Sequence, residues 1–173
     1  MFEKFFGSIA IAFFKLFIGL LLSIGSVYLG IHMLNRLTNE LEEWKEIKKG
    51  NFSVGVLLAG VILSIAVVIE GGVRNVMESI TPAVSLSLLF ASVIIASIKL
   101  FIGVLIAVFA VHLAIRVIDW LTPDINEMQE LKKGNIAVAV VMASVMIAIA
   151  FVIKSSVDIV LDSLDLSFII SLV

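Results

Sequence analysis

Four ionisable side chains sit in runs that are otherwise apolar: Lys15, Glu70, Lys99 and Lys154. A charge enclosed at membrane depth is costly. Where one persists, it pairs with an opposite charge, lines an ion path, or snorkels to the interface. Lys15 and Lys99 open two identical KLFIG pentapeptides, and Glu70 and Lys154 close two other apolar runs. Antiparallel neighbours would bring all four to one level, which predicts an intramembrane charge cluster in which Glu70 pairs with Lys15 or Lys99. Structural pairing is expected ahead of ion handling.

A second charged phrase occurs twice, as EIKKGN at 46–51 and ELKKGN at 130–135. Gly50 and Gly134 suit the left-handed residue that stops a helix. Asn51 and Asn135 suit the cap that starts the next one. Thr38 and Thr122 are expected to cap the preceding connector helices, with Pro123 in a first helical position. Lysine pairs beside a helix N-terminus also suit an anionic lipid phosphate. The stop-and-cap reading is preferred, with anionic lipid an expected contact at the connectors. Asp158, Asp162 and Asp165 share a helical face, read as a solvated acidic surface. His32 and His112 have no carboxylate at helical spacing beside them.

The apolar runs carry stripes of small residues. Gly19, Ser23, Ser26 and Gly30 recur at helical spacing behind Lys15; Gly103, Ala107, Ala110 and Ala114 do so behind Lys99. Small faces let helices approach closely in lipid, where packing replaces the hydrophobic drive. Tight packing is the expected use, and lining a narrow conduit is the alternative.

The elements that must position these residues follow from composition. Of 173 residues 61% are hydrophobic, with a mean hydropathy of +1.22. That exceeds what a soluble domain uses, and four runs approach or reach the ~20 residues that a membrane-crossing helix needs. An all-α polytopic membrane protein is predicted. Shifted by 84 residues, 15–81 aligns with 99–165 without a gap, and about two in five pairs are identical. The chain therefore reads as two parallel two-helix repeats with amphipathic connector and tail helices. Repeat one is 1–84, with span A about 5–34, connector 38–49, span B 51–70 and a tail. Repeat two is 85–173, with span A about 88–118, connector 122–133, span B 135–154 and tail 156–172. The first run resembles a signal peptide, but its recurrence inside the chain favours a permanent span. A rival topology makes 80–98 a separate span and inverts the repeats; the lysine and arginine bias opposes it. The same bias puts the connectors in the cytoplasm and both termini outside the inner (cell) membrane.

A polar connector followed by Asn-x-Ala-x-Ala opening a small-residue span, all duplicated, resembles the YjfL family of bacterial and archaeal membrane proteins. Asn135-Ile136-Ala137-Val138-Ala139 fits that opening well, and Asn51-Phe52-Ser53-Val54-Gly55 fits it loosely. The resemblance implies architecture and no activity. The residues themselves suggest no enzyme, since no nucleophile–base arrangement, HExxH or phosphate-binding loop is written in the sequence. No cofactor or metal is expected, and a net charge of −2 offers no basic surface to nucleic acid. Two functions are anticipated: a homo-oligomeric assembly conducting ions or small solutes, or a non-conducting structural or regulatory subunit, such as a scaffold or an envelope-stress partner.

Overall fold

The computed structural model describes residues 2–37, 43–79 and 86–163. Thr38, Asp165 and the end of the expected tail lie outside the described residues. Two long helices, α1 (Phe2–Leu37) and α4 (Leu86–Leu121), are each followed by a short connector helix, α2 (Glu43–Lys48) or α5 (Glu127–Lys132), and then by α3 (Phe52–Ser79) or α6 (Ile136–Ser163). Each element of the second set begins 84 residues after its counterpart.

Four helices are long and apolar enough to cross a membrane, with spans Ile11–His32, Phe52–Glu78, Val93–Leu121 and Ile136–Val160. α4 is one unbroken helix of 36 residues, roughly 54 Å at ~1.5 Å per residue. Residues 86–98 therefore run straight into Lys99, and the separate-span alternative does not hold for them. α6 likewise continues unbroken to Ser163, so the expected tail begins as the last turns of a spanning helix.

The connectors end as the glycines dictate. Gly50 and Gly134 have φ of +81° and +85°. Gly50 N–H donates to Ile47 O at 2.9 Å and Asn51 N–H to Glu46 O at 3.0 Å, the paired bonds of a Schellman stop. The second connector repeats them at Gly134–Leu131 and Asn135–Glu130, both 3.0 Å. Its start corrects the sequence reading. Asn126 caps α5, its side chain accepting from Gln129 N–H at 2.9 Å. Thr122 instead closes α4, its hydroxyl bonding back to Ile118 O at 2.8 Å. A turn through Pro123 and Asp124 then intervenes, so proline takes no helical position.

α3 is the centre of the bundle, packing on α6, α4 and α1. Half of its span is buried, whereas in that of α1 only Ser26 and Gly30 are buried and about half of the residues are exposed. α3 and α6 run in the same direction: Gly60 meets Ala143 midway, and Glu70 meets Lys154 near the far end. A methyl group at Gly60 would lie 2.5 Å from Ala143 Cβ, so this crossing exists because glycine has no side chain. α1 runs antiparallel to α3, with Gly30 against Ile65 and Gly19 against Met77. Val54, Ile65 and Val68 of α3, Val104 and Val111 of α4, and Met142 and Met146 of α6 fill the core.

Candidate functional site: the intramembrane charge cluster

Glu70 and Arg74 lie one turn apart on α3, as do Lys154 and Asp158 on α6, so each pair shares a face. Across the two helices they form a row of alternating sign. Lys154 Nζ is 2.7 Å from Glu70 Oε2 and 3.1 Å from Asp158 Oδ2; Arg74 Nη1 is 3.9 Å from Glu70 Oε1. Gly71 admits Asp158 to this row, because a methyl group there would collide with Asp158 Oδ1. That oxygen is buried and has no hydrogen-bond partner among the described residues. Asp158 therefore faces the bundle, which corrects its assignment to a solvated acidic surface.

Of the four lysine and glutamate positions read from the sequence, Glu70 and Lys154 come together. No ion pair joins Glu70 to Lys15 or Lys99. The register explains Lys15: Gly19 sits at the level of Met77, seven residues beyond Glu70, and Lys15 is another turn outward. At ~1.5 Å per residue Lys15 lies roughly 16 Å past Glu70 along the helix axes. Lys99 is at the right level, since Leu100 packs on Gly72, but it is Leu100 that faces α3. Lys99 is itself buried.

The small stripe of α4 is fully used in packing, with Gly103, Ala107, Ala110 and Ala114 all buried. On α1, Ser26 and Gly30 are buried, and Gly19 and Ser23 are half-buried. Between α1 and α3 runs a groove of about 310 Å³, lined by Ser23, Val27, Ala66, Val73, Glu70 and Arg74. His32 stacks on Tyr28 with ring centroids 6.2 Å apart. His112 Nδ1 is buried without a hydrogen-bond partner among the described residues.

At the opposite end, the repeated phrase builds a clamp. Asn51 Nδ2 donates to Glu46 Oε2 at 3.2 Å, and Asn135 Nδ2 to Glu130 Oε2 at 2.9 Å. Lys49 and Lys133 bond the same glutamates at 2.6 and 2.7 Å, which takes one lysine of each pair away from an anion site. The Lys49 and Asn51 bonds hold the Glu46 carboxyl below its usual range; those from Asn135 and Lys133 do the same for Glu130. The first clamp also reaches the second connector: Asn51 Nδ2 and Ser53 Oγ both donate to Leu131 O, at 2.9 and 2.8 Å.

Residues 7–157 match the family described as Domain of Unknown Function (DUF350). The chain belongs to the DUF350 family. This agrees with the YjfL resemblance, as the two are linked. No curated protein and no solved structure matches the chain.

In this DUF350 protein the sequence reading missed Arg74, Asp158, Gly71 and the Ser53 tether. A signal for the first two was present. Under the 84-residue shift Glu70 falls on Lys154 and Arg74 on Asp158, so both matched pairs carry opposite charges. Equivalent positions that face each other must be complementary, since like charges would repel.

Proposed function

We propose that this DUF350 chain is the structural building block of a homo-oligomeric membrane assembly, made of two parallel two-helix repeats with cytoplasmic connectors and external termini. The observation that carries this reading is how the intramembrane polar groups are used. Glu70, Lys154 and Asp158 bind one another, and the small faces of α4 are buried against neighbouring helices. Such groups lock helices together. The exposed apolar face of the α1 span, with Leu16, Leu20 and Ile24 uncovered, supports further association.

Conduction is the second reading, favoured by the groove that sets Glu70 and Arg74 against small residues. Purified protein in liposomes, under potassium, sodium, chloride and proton gradients, separates the two. The structural reading expects no protein-dependent flux. Flux abolished by Glu70→Ala, in protein of unchanged fold, would overturn it in favour of conduction.

A further inference from the structure

The two halves match in sequence register and in element bounds, yet their surroundings differ. α1 rests on α3 much as α4 rests on α6. Beyond this, α3 packs extensively along α4, while the corresponding pair, α6 with α1, shares no comparable interface. A two-fold relation between the halves would make both contacts or neither. The halves are instead related head to tail, and such an arrangement is open at both ends.

The open ends are visible residue by residue. Val68 of α3 is 0% exposed, and its equivalent Val152 of α6 is 75% exposed. Leu100 and Val108 of α4 are 6% and 4% exposed, and their equivalents on α1, Leu16 and Ile24, are 59% and 66%. Phe101 and Phe17, by contrast, are equivalents exposed in both copies, as expected of a face turned to lipid. The groove between α1 and α3 is the counterpart of the α4–α6 surface that α3 fills. Ser23, Val27 and Ala66 line the groove, whereas Ala107, Val111 and Ala150 are buried.

We propose that this groove is the docking site for α6 of a second copy of the same chain, which meets α1 and α3 of its neighbour as α3 meets α4 and α6 within one chain. The inference rests on the homo-oligomeric reading above and names its surfaces. The contacts transpose at a wider spacing, because Ser144 and Ser155 stand where Gly60 and Gly71 let Ala143 and Asp158 approach. Gly60 on Ala143 becomes Ser144 on Ala59 of the next chain, and all four residues are small. Glu70 with Lys154 becomes Lys154 with Glu70 of the next chain, again opposite in sign. Asp158 over Gly71 becomes Arg74 over Ser155. Ala59, Ser144, Ser155, Arg74 and Glu70 are all exposed in the single chain. A two-fold contact of α6 with its own copy would instead bring Lys154 towards Lys154, which like charges oppose. A closed ring built this way holds an even number of repeats, four or more.

The chain has no cysteine, so disulfide trapping can read the contact directly. Two differently tagged chains, one carrying Ala59→Cys and the other Ser144→Cys, are co-expressed, and their membranes are oxidised. A disulfide between the two tags is expected, with neither like pair formed, because Cβ atoms must approach to ~4 Å. Phe17→Cys with Phe101→Cys is the lipid-facing control and is expected to give none. Native mass in nanodiscs is measured in parallel, and Ser144→Trp is expected to reduce it to one chain while thermal unfolding stays unchanged. Like-pair disulfides, or a control that links as readily, would overturn the proposal. So would absence of the mixed disulfide in protein whose native mass is oligomeric, which leaves the homo-oligomeric reading standing. A single-chain mass for the unsubstituted protein overturns both.

Discussion

Glu70 and Lys154 decide how the end of the bundle away from the connectors holds. Lys154 bridges two carboxylates, and Glu70 is half-exposed beside it. Removing one member of a fully buried pair costs about 3–5 kcal/mol; with this exposure, Glu70→Ala is expected to cost roughly 1–2 kcal/mol after the discount for screening. In a double-mutant cycle, Glu70→Ala with Lys154→Ala should lose less than the two single losses added together, measured by denaturant unfolding in detergent. Strictly additive losses would count against a direct pair. Glycine gives a sharper contrast. Gly60→Ala places a methyl group on Ala143 and should destabilise by about 1–3 kcal/mol. Gly25, with nothing within 4 Å, should tolerate alanine or gain up to ~1 kcal/mol of helix propensity. The four charges within the apolar runs were legible as charges. Their pairing was not, because it depends on the α1–α3 register, which side-chain contacts such as Gly19–Met77 set and no spacing rule encodes.

At the scale of elements, the connectors were the best-written part of the chain. Gly and Asn at matched positions specify a left-handed stop and a cap, and both are local backbone properties that need no partner. Gly50→Ala and Gly134→Ala should each cost about 1–2 kcal/mol, since a β-carbon opposes positive φ. Amide exchange slowed less at 51–55 or 135–139 would show it. The clamps also make a pH prediction. Glu46 and Glu130 are held below the ordinary 4.5, so their contribution is present above that value and is lost as pH falls through the lower folded value. Glu43, raised by burial, acts in the opposite sense and makes the first clamp's response the shallower. Amide protection at the two connectors, taken relative to the intrinsic rate at each pH between 6 and 3, should therefore fall below 4.5, and Glu130→Gln should flatten the second clamp's response. The start of α5 was misread because threonine before proline is a good cap locally, while the hydroxyl of Thr122 bonds Ile118 O in the last turn of α4 and the Glu127 carboxylate, leaving Asn126 to accept from the α5 backbone.

For the whole molecule, hydrophobic excess and the 84-residue register were enough to give four membrane-length helices. They could not say which helix is central, because in lipid every face is apolar and burial leaves little compositional trace. Only the small residues and the charges mark where helices meet, and the row from Arg74 to Asp158 shows two equivalent helices side by side. In the proposed assembly this arrangement continues from chain to chain. The proposed cytoplasmic placement of the connectors makes a prediction: Lys48→Cys, exposed on α2, should react with an impermeant thiol reagent only from the cytoplasmic side, and labelling from outside intact cells would reverse the topology. The most direct test is the native mass of the protein in lipid nanodiscs, counted in units of the 18.8 kDa chain. A defined multiple of two or more, stable across protein concentrations, is predicted; a single chain at every concentration would contradict the account.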